Sequence, residues 1–475
     1  MGSKNLLFFQ IRNETTYKLA ETVISKYKPE KSYIVFWKTR EAFPAIAFKD
    51  TKIEKLYNVN DLVHARYQKY MDAPHPPVDQ ELLDNMAHYE PHIIKMLERH
   101  VEAFASCTFT KSSLYNVRIR LYHEHLRYWN HLLDSAEIGM VVLQGIPHWS
   151  FDYIIYCLCK IKNIPTVMSH VAFPPRWMGF FVDFENPYPT ISAEYESLLN
   201  EYKDKSIDDI TLEPEISNLF NLYTSGADRT LYSVKPEYKR VLFGNTTVQE
   251  KGFIMHRKTY DKLSIKPDFT AKYIYFALHL QPEATTTPLG GWFAHQILAI
   301  KMLSYYLPDG HMLYVKEHPN QPMKPYARSL RTYESIANLK NVKLVDFDTD
   351  TFDLIENAIA VSSITGTVGF EGLFAGKPFL MFGMQSYMYA PGVYNIRTNK
   401  DCEVSINDII ENGAKHTLKD LKIWIKAMSK HVSLCTMQKL SLIGDKMLPI
   451  TKEENDNRFV HGYLRILDVL MSSSR

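Results

Sequence analysis

Cysteine is scarce in this chain of 475 residues, with five in all: Cys107, Cys157, Cys159, Cys402 and Cys435. An odd, scattered set excludes a disulfide framework and leads us to expect a reducing, cytoplasmic setting. Cys157 and Cys159 lie two apart in a predicted helix, so they point to different faces and cannot chelate one ion together. Net charge is nearly absent: 55 Lys+Arg against 53 Asp+Glu give +2, which argues against a nucleic-acid-binding surface. No apolar run reaches the ~18 residues needed to cross a bilayer. The opening MGSKNLLFFQIRNETTY has too short an apolar run for a signal peptide and lacks a small-residue cleavage site. The expectation is a protein that neither spans a membrane nor is exported. Also missing are a GxGxxG fingerprint after the first strand, a GxxxxGK[ST] loop and a conventional metal cluster. What the sequence has in surplus is aromatic: 30 Tyr, 25 Phe and 6 Trp, or 13%.

The first half alternates short apolar runs with helical periods. Strands are predicted at Leu6–Ile11, Tyr33–Trp37, Ile138–Leu143 and Pro165–Met168. Tyr115, Ile119, Tyr122, Leu126, Trp129 and Leu133 form one apolar helical stripe. The stretch SHVAFPPRWMGFFVDFENPYP shows neither period and reads as a long functional loop. KLSIKPDFTAK reads as an interdomain linker. In the second half, strands are predicted at Lys272–His279, Met312–His318, Val342–Phe347, Ala358–Ser363 and Pro378–Phe382, with helices between them. Phe459, Tyr463, Leu467 and Leu470 mark a final helix. Such alternation implies parallel sheets covered on both faces, so an α/β protein with two Rossmann-like domains. The expected limits are 1–262 for the first domain, 270–440 for the second and 441–475 for a C-terminal helical segment.

Ligands of open parallel sheets sit at the carboxyl ends of strands. Three strand ends of the second half are correspondingly polar. The first continues as LHLQPEATTTPLGGW, where Glu283 is a candidate site carboxylate, Gln281 a candidate substrate contact, and Gly290 and Gly291 let backbone approach a ligand. The second runs LYVKEHPNQP. Lys316 can supply a point charge and His318 a donor to phosphate or to a leaving-group oxygen. Strand alternation puts Glu317 on the opposite side. The third is SSITGTVGFEGLFAGKP, in which Ser362, Ser363, Thr365, Gly366 and Thr367 lead into a helix. That pattern makes an anion cradle, with Glu371 placed to accept from ribose hydroxyls. Together they read as a nucleotide-phosphate site. The run Asp346–Asp348–Asp350 reads as a solvated loop. In the first half, QGIPHWSFDY offers His148 or Asp152 as a candidate base, and Arg176 and Trp177, with Phe180, are candidate substrate contacts.

The segments LQPE…GG, KEHP and SSxTGTxGFEGLFAGKP, spread over residues 272–382, resemble those of bacterial capsule and surface-polysaccharide glycosyltransferases of the Kdo-transferase type. The resemblance implies a GT-B fold, two Rossmann-like domains facing a central cleft, with metal-independent use of a CMP-activated sugar and no cofactor. It implies that His318 and Pro319 bind the cytidylyl phosphate, and that Ser362, Ser363 and Thr365 serve the nucleotide. Glu283, following Gln281–Pro282, is the nearest match to the family's site carboxylate and would act as nucleophile or electrostatic stabiliser. The expected partners are a nucleotide-sugar donor and a glycan or glycolipid acceptor, with no nucleic acid. Peripheral contact with the inner membrane or polysaccharide assembly machinery is compatible with this. A UDP-sugar transferase, a CDP-glycerol-type polymerase, a non-hydrolysing UDP-sugar epimerase and a non-catalytic glycan-binding or export accessory protein are alternatives.

Overall fold

Short apolar runs with no polar alternation suit strands covered on both faces, and the molecule is organised by two such sheets. The computed structural model describes residues 5–37, 52–104, 114–173, 177–225, 248–321, 328–437 and 450–473. In chain order the described strands are β1 (Asn5–Ile11), β2 (Lys31–Phe36), β3 (Lys52–Asn58), β4 (Ile138–Leu143), β5 (Thr166–Phe173), β6 (Trp177–Phe181), β7 (Ser264–Ile265), β8 (Lys272–Ala277), β9 (His311–Lys316), β10 (Val342–Val345), β11 (Ala360–Ser363), β12 (Phe379–Met381), β13 (Val393–Asn395) and β14 (Val432–Leu434). They form two seven-stranded sheets, in the orders β14-β6-β5-β4-β1-β2-β3 and β13-β12-β11-β8-β9-β10-β7. The second is parallel throughout. The first is parallel from β5 to β3, and β6 and β14 close its edge antiparallel.

Both sheets are wound alike. From β1 the chain steps outward through β2 and β3, then crosses back to lay β4 on the other flank. From β8 it steps through β9 and β10 and crosses back to β11. This is the doubly wound Rossmann order, and it places a ligand crevice between β1 and β4 and another between β8 and β11. The expected α/β architecture of two Rossmann-like sheets is therefore present.

The chain packs as two units, Met1–Tyr188 with His431–Arg475, and Pro189–Lys430. These limits differ from those expected at 262/270 and 440/441. Among the described residues, 189–225 and 248–262 fall in the second unit. The stretch KLSIKPDFTAK, read as a linker, supplies β7, which pairs with β10. The final helix, Lys452–Ser473, returns to the first sheet with Phe459, Tyr463 and Leu467 buried. There the Tyr463 hydroxyl donates to the Leu143 carbonyl at 2.7 Å. A Cβ at Gly462 would lie 2.2 Å from the Phe180 ring, so only glycine lets the helix close on β6.

The aromatic stretch read as a long loop is largely the β5–β6 hairpin, with His170 opposite Gly179. Its strands lack alternation because both of their faces are covered. Phe173, Phe180, Phe181, Phe184 and Tyr188 are all buried. They are core, not a platform for sugar rings. In the helix Leu114–Ser135, the stripe members Tyr122, Leu126, Trp129 and Leu133 are buried as expected. Ile119 is half-buried, and the side chain of Tyr115 lies outside the described residues. The same helix also buries His125 and Tyr128. Tyr128 stacks on Tyr67 at 4.1 Å, and the Tyr67 hydroxyl meets His125 Nδ1 at 2.6 Å and accepts from Trp129 Nε1 at 2.8 Å. Much of the aromatic surplus is thus core, and in this cluster Tyr67 joins the polar tips of His125 and Trp129.

Candidate active site

The three polar strand ends come together because β11, β8 and β9 are neighbours in the second sheet. The helix Thr367–Phe374 follows β11 with Gly366 as its N-cap. It carries no side-chain cap and no acidic residue in its first turn, so its amide end can meet an anion. The helix lies close on the sheet: a Cβ at Gly369 would sit 2.3 Å from the Phe379 ring, and one at Gly372 3.0 Å from Val361. Gly366 itself has no room for a Cβ, which would lie 2.8 Å from Ser363 Oγ.

The hydroxyls of this loop divide into two kinds. Ser362 donates to the Leu380 carbonyl at 2.9 Å and Ser363 to the Ala277 carbonyl at 2.8 Å, so both brace the sheet. Thr365 donates to the Thr285 carbonyl at 2.7 Å, and its backbone N–H donates to His279 Nε2 at 3.1 Å. Burial pushes the His279 imidazole down to about 4, helped by the Arg328 charge, so at neutral pH its Nε2 is an acceptor. Ser362, Ser363 and Thr365, expected to serve the nucleotide, thus donate their hydroxyls within the loop and the sheet. Thr367 is exposed at the helix start, and its hydroxyl donates to Glu371 at 3.2 Å. Burial raises the Glu371 carboxyl to about 7, against the lowering effect of the Thr367 hydrogen bond.

At the β9 end, the side chains separate as alternation predicts. Glu317 is 2% exposed and is held by Arg328 at 2.9 and 2.8 Å, by the Tyr333 hydroxyl at 2.6 Å and by the His318 N–H at 2.6 Å. Arg328 also donates to the His279 carbonyl at 2.7 Å, which ties the β8 and β9 exits together. Lys316 is buried, and its ammonium donates to Thr351 at 3.1 Å, beside the acidic run after β10. This is where the ammonium expected as a point charge for phosphate is placed. In that run, Asp348 pairs with Arg257 at 2.6 Å, and Asp350 caps the helix Thr351–Asn357. His318 Nδ1 accepts from the Asn320 N–H at 3.1 Å. The ring proton therefore sits on Nε2, the form that donates to an oxyanion. Pro319 follows directly, half-buried in the same turn.

Glu283 is half-buried at the β8 exit, and its carbonyl caps the turn by accepting from Thr286 and Thr287. Gln281 is held by Ala294, Gln321 and Arg328, so its amide organises the exit loops. Gly290 approaches the chain itself, since a Cβ there would lie 2.5 Å from the Thr286 carbonyl and 2.9 Å from Ile364. Gly291 has a positive φ of 51°. His279, Gln321, Arg328 and Tyr333 went unsingled in the sequence. Only His279, inside LHLQPE, had a positional signal.

In the first sheet, Asp152 is fully buried and accepts from the N–H groups of His148 and Trp149 and from Gln10 Nε2, at 3.0, 2.7 and 2.6 Å. It is the capping carboxylate of the helix Ser150–Ile161. His148 is half-buried beside it. Trp177 is buried in β6, paired with Phe173 and Leu434. Arg176 lies outside the described residues. Among the described residues, no group of three or more His, Cys, Asp or Glu could hold a metal ion, and no helix is long and apolar enough to cross a membrane.

Residues 299–403 match the family model described as "Capsule polysaccharide biosynthesis protein", a segment that contains His318, the β11 loop and the helix after it. This agrees with the resemblance to capsule glycosyltransferases read from the motifs. No curated protein matches the chain. Among solved structures, it is similar to the beta Kdo 2,7 transferase of Thermosulfurimonas dismutans KpsC, with 12% identity, 78% of this chain and 96% of that chain covered, and a TM-score of 0.32. The beta Kdo 2,4 transferase of the same KpsC gives 14%, 61%, 79% and 0.29. A UDP-GlcNAc 2-epimerase from Methanocaldococcus jannaschii gives 12%, 90%, 98% and 0.27. At such values, residue roles rest on the site's own geometry.

Proposed function

We propose that this protein is a glycosyltransferase that moves an acidic sugar, Kdo or a related ulosonic acid, from a CMP donor onto a surface or capsular polysaccharide. The observation that carries the reading is the helix start Gly366–Thr367, uncapped and without a carboxylate, at the β8/β11 crevice inside the segment that matches the capsule family. A CMP-sugar already carries its leaving phosphate, so departure needs charge stabilisation more than strong acid catalysis. The helix amides, Thr367 and His318 Nε2–H would supply it. Glu283 would face the anomeric centre as nucleophile or electrostatic stabiliser, and His148 would take the acceptor proton. A cytoplasmic setting with peripheral contact at the inner membrane belongs to the same reading.

The test is thermal stabilisation by CMP, CDP, UMP and UDP. A nucleotide at 100 times its Kd should add about 2.7 kcal/mol. CMP should give the largest shift, and no shift with any nucleotide would refute the reading. His318→Ala should abolish transfer with an unchanged melting temperature.

A further inference from the structure

One buried ion pair takes part in no step of the donor reading. Glu317 and Arg328 meet at 2.8 Å with side chains 0% and 3% exposed. A pair so fully desolvated is weak ground for stability, because apolar residues of similar volume often replace one without loss. Its significance lies in where the planar fork of Arg328 reaches. One edge grips the Glu317 carboxylate, which also accepts from the His318 N–H at 2.6 Å. The other edge donates to the His279 carbonyl at 2.7 Å and lies 3.3 Å from the Gln281 side-chain oxygen. Gln321 clasps the Gln281 backbone beside it, accepting from the N–H at 2.7 Å and donating to the carbonyl at 3.0 Å.

Two lines of contact run from this fork to the two anion-binding groups. Toward β9, Glu317 holds the backbone of His318, whose Nδ1 is engaged by Asn320 and whose Nε2 carries the proton. Toward β11, the His279 carbonyl accepts from Arg328 and from Gln296, and His279 Nε2 accepts from the Thr365 N–H at 3.1 Å. Thr365 immediately precedes Gly366, the N-cap of the next helix. The strand ladders stop short of these loops: β8 and β9 pair as far as Ala277 and Lys316, and β8 and β11 as far as Phe276 and Ser362. Side chains therefore set the spacing between the His318 turn and the helix start. For groups that must meet one oxyanion, a misplacement of about 1 Å can cost about 100-fold.

We infer that Arg328 is the positioning residue of the donor phosphate site: its fork locks the His318 turn to the loop before Gly366, so that both anion-binding groups stand at one fixed spacing. The inference rests on the glycosyltransferase reading, in which both groups serve the same nucleotide phosphate.

The test is calorimetric titration of the full chain with CMP and with cytidine, whose affinity ratio isolates the phosphate. Removing Arg328 alone would leave Glu317 charged and unpaired in the core, so the variant combines Glu317→Gln with Arg328→Met. Gln keeps an acceptor for Tyr333 and the His318 N–H, Met keeps the apolar stem, and melting temperature records folding. CMP affinity should fall about 10-fold or more while cytidine affinity stays within about twofold. The phosphorus NMR signal of bound CMP should move toward that of the free nucleotide. Arg328→Lys keeps a charge beside Glu317 but not the fork, and should lose the CMP preference in the same way. A merely structural role would shift both ligands together or neither. A CMP-to-cytidine ratio within about twofold of wild type, in the double variant or in Arg328→Lys, overturns the role, and Arg328→Lys decides alone should the double variant fail to fold. Wild type that binds no CMP overturns the donor reading together with this role. CMP binding by wild type with an unmoved ratio in the variants overturns this role only.

Discussion

The β1/β4 and β8/β11 crevices are built on the same strand order and end in the same element, a helix that starts at the switch point. They differ at one position of that helix. In the first sheet, a carboxylate, Asp152, occupies the first turn and accepts from the N–H groups of His148 and Trp149, just before the helix. In the second, the first turn has neither an acid nor a side-chain cap, and glycine takes the cap position. The helix dipole is worth the same at both ends, so the side chain decides whether the amide end is already neutralised or is left for a ligand. One crevice carries its own carboxylate at this position, and the other leaves it uncharged.

The largest effect should come from emptying the filled end. Asp152→Ala leaves Gln10 Nε2 and two backbone N–H groups buried without partners and removes the nearby counter-charge of Arg12. The expected cost is about 4 kcal/mol, read by urea denaturation. A loss under 1 kcal/mol would show that the carboxylate is not what fixes this crevice.

The converse change fills the empty end. Thr367→Asp places an acid in the first turn of the second helix at an exposed position. Stability should rise by about 0.3–1 kcal/mol through the dipole. Nucleotide affinity should fall about 100-fold, or about 2.7 kcal/mol, because the new charge faces the phosphate. Opposite signs in melting and binding are the signature. An unchanged affinity would move the phosphate elsewhere.

What could be read from the sequence follows from how local its cause is. The strand ends at Gln281, Lys316 and Ser363 were legible because turn residues and hydroxyls cluster within a few positions of an apolar run. The β5–β6 hairpin was not, since covered strands lose the alternation that announces them. Arg328 had no local signal, as its partner Glu317 lies 11 positions back, at the exit of β9. The unit boundary escaped for a similar reason. Tyr463 finds Leu143, 320 positions away, and no composition shift records that. Within the site, the residue types could be read from the sequence, but not their hydrogen-bond partners. Which hydroxyl faces outward depends on carbonyls of neighbouring strands: Ser362 and Ser363 are taken by Leu380 and Ala277, and Thr367 is the one left exposed.

The smallest effect tests whether the second helix end stays uncharged. Glu371 sits one turn beyond Thr367, and its carboxyl is raised from 4.5 to about 7 by burial. A raised acid binds its proton more tightly in the folded state. Its stabilising contribution is therefore complete below pH 4.5 and is lost as pH climbs through about 7. Discounted for partial solvent screening, the loss should be about 1.5 kcal/mol by pH 8. Glu371→Gln should remove it, making the variant more stable than wild type at pH 8 and equal to it near pH 5. The same ionisation puts a negative charge near the bound phosphate. Wild-type nucleotide affinity should thus weaken severalfold between pH 6 and pH 8, and that of Glu371→Gln should stay level. Parallel slopes for the two proteins would mean that Glu371 does not sense the phosphate. The contrast with Asp152 would then rest on the first turn alone.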